Sequence, residues 1–177
     1  MLKILNGFEE ELRSVVSKGV YCIGEKPVDK ELIFDEYVDD GKGMFVGYQL
    51  FNDVGISDYV DCKIEIYTNN IKSKQKSVGQ YLLKRVDLEF DDDIVDLVAL
   101  LEIIDVGYSM KGCDFMSYKK TVDMLLKTYS DSSFERIVKA IRYKYSTIKQ
   151  ISELLESNSI DYNCLNIFES TYKNSIR

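Results

Sequence analysis

Hydrophobic positions along this chain change period twice. From Ile4 to Val16 they recur at helical spacing: Ile4, Leu5, Phe8, Leu12, Val15 and Val16 share one face, and Glu9, Glu10 and Glu11 fall off it. This predicts an amphipathic first helix, stopped by Gly19. From Val20 to about Phe90 the period is near 2. "GVYCIG" is a short apolar run, and "KELIFDEYV" and "GMFVGYQLF" flank the turn "DDGKG", a hairpin signal. "DYVDCKIEIYT" alternates most cleanly, with Val60, Cys62, Ile64 and Ile66 on one side and Asp61, Lys63, Glu65 and Tyr67 on the other. "NNIKSKQKSVG" reads as a polar turn or loop, after which "YLLKRVDLEF" alternates again with Val86, Leu88 and Phe90 inward. Four or five successive strands suggest an antiparallel meander with one wet face.

After Phe90 the pattern breaks. Asp91, Asp92 and Asp93 precede "IVDLVALLEII", which is apolar nearly all round and predicts a central core helix ended by Gly107. The aspartates suit its start, because carboxylates accept from the free N–H groups of a first turn and oppose the helix dipole. "FMSYKKTVDMLLKTY", "SSFERIVKAIRYKY", "STIKQISELLES" and "DYNCLNIFESTY" then read as further helices, with Ser132 or Ser133 and Ser146 or Thr147 as caps. The expected fold class is α+β: an N-terminal helix, an antiparallel β-meander of four or five strands, and a C-terminal helical bundle packed on it. At 177 residues, with no linker, repeat or low-complexity tract, the chain is expected to form a single domain, its helix and meander in 1–90 and its helical part in 91–177.

Composition removes whole classes of chemistry. There is no histidine, which excludes Ser-His-Asp triads, Cys-His dyads and histidine-containing zinc sites. Carboxylate-only Mg²⁺ chemistry and Lys or Tyr acid–base work survive. Cys22, Cys62, Cys113 and Cys164 are widely spaced with no C-x-x-C pair, so they are expected as buried free thiols, with Cys62 on the apolar side of its strand. No apolar run is long enough to span a membrane. The start turns acidic too early for a signal peptide, so a cytoplasmic location is expected. Lysines outnumber arginines 18 to 5, a usage that suits an A/T-rich coding sequence.

One tetrad invites a catalytic reading. Tyr37-Val-Asp-Asp is also the metal-binding sequence of reverse transcriptases, where it sits at a strand–turn–strand corner. Two-metal chemistry needs a further carboxylate from a separate strand, and only 36 residues precede Tyr37, too few for the palm and fingers that come before that motif. Asp-Asp-Gly is also what a tight turn wants, with Gly41 or Gly43 at positive φ. The expectation is a turn.

Charge is distributed in blocks. Residues 71–86 hold Lys72, Lys74, Lys76, Lys84 and Arg85 and no acid, whereas residues 87–105 hold eight acids and no base. The net charge is −7, which argues against nucleic acid as the main partner and for a basic protein. Asp61, Glu65, Asp87, Glu89, Asp91, Asp92 and Asp93 are the candidate partner-binding residues, projecting from the wet side of two strands and the corner that follows. No cofactor or metal motif is present, and no EF-hand spacing supports Ca²⁺. "IKQISELL" has some look of the first helix of a helix-turn-helix, and the bases of 111–150 make a DNA-binding regulator the alternative. However, the would-be recognition helix has no base before Lys173, and bundle packing accounts for the pattern better. A carboxylate–Mg²⁺ nuclease is the third option. Thirteen tyrosines without a tryptophan leave open whether Tyr37, Tyr48, Tyr59 and Tyr67 form an interface. In general cast the chain resembles immunity proteins, phage-encoded inhibitors and secretion chaperones. No motif names a family, and the leading expectation is a non-enzymatic protein-binding module that masks a basic partner.

Overall fold

The computed structural model describes residues 30–163 in full and, before them, the backbone of two strands, β1 (Arg13–Ser17) and β2 (Val20–Ile23). Most of the first predicted helix, and all of the last predicted helix from residue 164 on, lie outside the described residues. Val15 and Val16, read as the end of that first helix, belong to β1, which pairs antiparallel with β2. Adjacent β-branched residues favour the extended backbone.

The α+β class stands: strands and helices are mixed in the first half of the described chain, and helices alone follow from Asp92. Helix α1 (Lys30–Tyr37) leads through a turn into β3 (Gly43–Val46), followed by α2 (Tyr48–Asp53), β4 (Ile64–Thr68), β5 (Gln75–Val78) and β6 (Tyr81–Arg85). Then come α3 (Asp92–Val106), α4 (Phe115–Leu125), α5 (Asp131–Ala140) and α6 (Tyr145–Ser157). The four-stranded sheet runs β3-β4-β6-β5 and is mixed, not an antiparallel meander: β4 and β6 are parallel, in register Ile66↔Leu83. The reason lies in the segment read as a loop. "QKSV" forms the outer strand β5, exposing Gln75 and Ser77 and burying only Val78, so it carries almost no apolar signal. The chain leaves β4, passes to the edge, descends β5 and returns up β6 between them.

Two further expectations fail for a shared reason. "ELIF" was read as a strand, but a four-residue apolar run does not separate strand from helix. It lies in α1, which buries Ile33 and Tyr37, one turn apart, and leaves Leu32 and Phe34 outside. With α1 laid on the sheet, neither face is wet. Ile33, Tyr37, Ile66, Val78, Tyr81 and Leu83 form a small core on one face. On the other, Met44, Val46 and Tyr67 join the large core built around α3. Cys62 and Val60 are exposed, Val60 at 80%, because β4 begins only at Ile64 and the alternation before it has no sheet to face.

The turn between α1 and β3 is the Val38–Lys42 segment of the tetrad, with Asp40 and Gly41 both at positive φ. Gly43 is needed for space instead: a side chain there would run into the carbonyl oxygens of Tyr37 and Tyr67. Val86, Leu88 and Phe90 point inward as predicted. Asp91 caps α3 by accepting from the Ile94 N–H at 3.0 Å, and Gly107 ends the helix at positive φ. Ser130, ahead of the serines expected, caps α5. Thr147, expected as a cap of α6, gives its hydroxyl to Asp105.

Candidate protein-binding surface

The seven acidic residues singled out in the sequence do not form one surface. Asp61 lies in the loop before β4, at the opposite end of the parallel β4–β6 pair from Asp87. Glu65 faces the helical layer and pairs with Lys84 at 2.9 Å. Asp87 pairs with Arg85 at 2.7 Å, and Asp91, besides its capping bond, pairs with Arg136 of α5 at 2.9 Å. A carboxylate already matched by a neighbouring cation offers little field to a partner. Glu89, Asp92 and Asp93 are exposed and are not among the ion pairs formed within the described residues.

What the sequence could not reveal is which acidic stretch lies beside them. The Phe90 N–H donates to the Gly41 carbonyl at 3.0 Å. The Asn69 side-chain amide bridges the same carbonyl, at 3.3 Å, and that of Leu88, at 2.9 Å. The Thr68 hydroxyl and the Asn69 N–H both hold the Lys42 carbonyl. These bonds clamp the 38–42 turn against residues 88–90, so exposed Asp39 and Asp40 join Glu89, Asp92 and Asp93 at one corner. Lys42, 3.8 Å from Asp40, is the cation of that turn. On the second turn of α3, Asp96 is held above the usual carboxylate range, by burial first and then by Asp92 and Asp93. Among the described residues, no group of three or more Asp, Glu or Cys is placed to hold a metal ion.

A second polar cluster lies inside. Glu102 of α3 accepts from the hydroxyls of Tyr67, on β4, at 3.1 Å and Tyr143, before α6, at 3.0 Å. Burial raises the Glu102 carboxyl, partly offset by the two phenols. Tyr67 and Tyr143 are both pushed above the ordinary phenol range, by burial and then by Glu102. One turn on, Asp105 accepts from Lys144 at 2.8 Å and from Thr147. These bonds tie the sheet, through Tyr67, and the start of α6, through Tyr143, Lys144 and Thr147, to α3. The tyrosines of the strand region have separate places. Tyr67 is part of this network, Tyr37 is buried beneath Lys76, and Tyr48 stacks on Tyr59 at 4.6 Å. Cys113 is half-buried, its thiol raised by burial and then by Asp114, the reverse of an activated thiolate.

Comparison with known proteins returned no matching family model, no matching curated relative and no matching solved structure. No helix among the described residues is long and apolar enough to cross a membrane.

Proposed function

We propose that this chain is a non-catalytic protein-binding module whose acidic corner engages a basic partner, in the manner of an inhibitor or immunity-type protein. The observation that carries this reading is the hydrogen bond from Phe90 N–H to the Gly41 carbonyl. It sets Asp39 and Asp40 beside Glu89, Asp92 and Asp93, two acidic stretches far apart in the chain. Such a surface speeds encounter with a cationic partner and selects against acidic ones. Of the original seven residues, Asp61, Glu65, Asp87 and Asp91 are secondary in this reading, three of them because they already hold cations of their own. The DNA-regulator alternative draws less support from the net charge of −7. Of its 111–150 bases, Arg136, Lys139, Lys144 and Lys149 are each paired with a carboxylate, and Lys111, Lys119, Lys120 and Lys127 are in no ion pair among the described residues.

The test is an affinity capture from the source cells with the intact chain and with the variant D39N/D40N/E89Q/D92N/D93N, read by mass spectrometry. A basic protein retained by the first and lost by the second is the expected result. Its association rate should fall at least about tenfold in the variant and become less sensitive to salt. Identical captures by a folded variant would leave the corner as a solvated face. A gel-shift assay at low salt addresses the alternative, because a phosphate binder loses affinity steeply as salt rises.

A further inference from the structure

The opposite chemistry gathers around α4. This helix buries Tyr118, Thr121, Val122 and Leu125 and leaves Phe115, Met116 and Met124 exposed at 54, 72 and 57%. Tyr108, just past the end of α3 and 58% exposed, packs its ring on Phe115 at 5.2 Å and on Tyr118 at 4.3 Å between centroids. These rings wall a depression of about 280 Å³, floored by Val122 and Leu154 and edged by Lys119 and Asp123. A second depression, of about 310 Å³, lies on the other flank of α4 between Val54, Lys120 and Met124. By helical spacing Met116 sits on the crest between the two. Contiguous exposed aromatic and methionine surface of this kind marks a contact site more often than a solvated one.

The charges around it say what would fit. Lys111, Lys119, Lys120 and Lys127 are the four bases between Gly107 and Tyr129. None lies within ion-pair distance of a carboxylate among the described residues, whereas the next two helices pair Arg136, Lys139, Lys144 and Lys149. Lys111 lies over the Tyr59 ring at 4.7 Å, so Lys119 and Lys120 are the cations at the two depressions, outnumbering the one carboxylate there, Asp123. In a chain of net charge −7, such an apolar patch is complementary to apolar side chains flanked by carboxylates.

We propose that the α4 surface docks an acidic amphipathic segment of a partner protein, with its apolar side chains in the Tyr108–Phe115–Tyr118 depression and its carboxylates on Lys119 and Lys120. A polyanion such as single-stranded nucleic acid uses the same two ingredients, rings and cations. The methionines and the aliphatic floor favour apolar side chains over bases, and the negative field of the whole chain opposes a long run of phosphates. The proposal stands on residues separate from the acidic corner and is independent of it.

The experiment titrates the full chain into a fluorescent amphipathic peptide built of Phe, Leu, Asp and Glu and follows anisotropy. Saturable binding is expected, weakened at least about tenfold by K119Q/K120Q and by F115S. It should be equally weakened when the peptide's Phe and Leu become Ser, and unchanged by D39N/D40N/E89Q/D92N/D93N. Thermal melting verifies each variant, and the lysine pair keeps the test decisive should F115S not fold. The proposal is overturned by an absence of saturable binding. Equal binding of a peptide carrying Lys in place of its acids, or of the parent peptide by K119Q/K120Q, overturns it as well. A single-stranded oligonucleotide that displaces the peptide and binds more tightly assigns the surface to nucleic acid and overturns it too.

Discussion

Helices α3 and α4 begin alike and end up in opposite surroundings. Each is capped by an aspartate, Asp91 for α3 and Asp114 for α4, whose carboxylate accepts from N–H groups of the first turn. Yet α3 buries Ile94, Leu97, Val98, Ala99, Leu100, Leu101, Ile103 and Ile104, while α4 buries one stripe and exposes Phe115, Met116 and Met124. Apolar content alone does not produce the difference. The extended segment Val86–Phe90 delivers α3 directly from β6 onto the sheet, and α4, α5 and α6 then all pack against it. Helix α4 forms part of that outer layer, and its far side leaves Phe115, Met116 and Met124 exposed. A surplus of apolar residues is a core in one position and an exposed surface in the other.

The sharpest way to break this comparison is truncation on each helix. Leu100→Ala should cost roughly 2–5 kcal/mol through lost burial and a residual cavity. Met116→Ala should stay within about 0.5 kcal/mol, as harmless surface changes do. Chemical denaturation of the two variants reads both numbers, and similar losses would mean that α4 is covered after all.

Buried polarity separates the helices next. α3 carries Glu102 beneath the layers, held by two phenols, whereas Asp123 of α4 is exposed. Glu102→Ala leaves the Tyr67 and Tyr143 hydroxyls without their acceptor, at about 1–3 kcal/mol for a stranded buried group. The sign differs for Glu102→Gln. A carboxyl raised in the folded state binds its proton more tightly there than in the unfolded chain. Its contribution is therefore most favourable below the ordinary carboxylate range and declines as pH rises through the folded value. The glutamine variant should melt at or above the parent at neutral pH, with the difference shrinking on acidification, while Asp123→Asn changes nothing. A glutamine variant that loses as much as the alanine would mean that the negative charge itself holds the network.

The legible parts of the sequence were those where one signal decided the outcome. Asp91, the apolar run of α3 and Gly107 jointly specified a capped, buried helix, and it lies where the pattern put it. The alternation Val86–Leu88–Phe90 likewise needed only one covered face. Illegibility came from segments whose surroundings choose between outcomes. "ELIF" is a helix because it lands on a sheet face, and "QKSV" is a strand because β6 offers it an edge. Cys62 is exposed because its alternation starts before the sheet does. The acidic corner was half legible. Glu89, Asp92 and Asp93 stood out as charge, but Asp39 and Asp40 could be placed beside them only by the clamp of Asn69 and Phe90. The unmatched lysines of α4 were visible as residues and invisible as unmatched, since pairing is a property of the fold.

The two caps sharpen the comparison further. Asp91→Ala should cost about 1 kcal/mol as a lost cap, with its exposed Arg136 pair adding little. At Asp114 the hydrogen bonds from Ser117 and Met116 hold the carboxyl below its usual range. Here the stabilisation is present above the ordinary carboxylate value and is lost as pH falls through the depressed one. Acid titration of Asp114→Ala should therefore converge on the parent only at the acid end, whereas a constant offset would mean that the cap bonds do not depend on charge.

The smallest expected effect tests whether the corner is under electrostatic load. Asp92 and Asp93 occupy the first turn of α3, where the helix dipole favours them by about 0.3–1 kcal/mol each. Asp96 lies one turn further in, four residues from Asp92 and three from Asp93, and gains less from the dipole. It meets like charge at both spacings, each worth about 0.2–0.5 kcal/mol against the helix. Its raised carboxyl gives the sign: the penalty is absent while Asp96 keeps its proton and grows as pH rises through the folded value. Asp96→Asn should therefore raise the melting temperature slightly at neutral pH and low salt. The gain should fade on acidification, and high ionic strength should remove only the part due to Asp92 and Asp93, because burial, the larger cause of the raised carboxyl, is not screened. Asp92→Asn should show a smaller gain or none, because relief of repulsion and loss of the dipole contribution oppose each other. Were Asp96→Asn to destabilise the chain at low salt, the corner would be internally compensated and its field on a basic partner correspondingly weak.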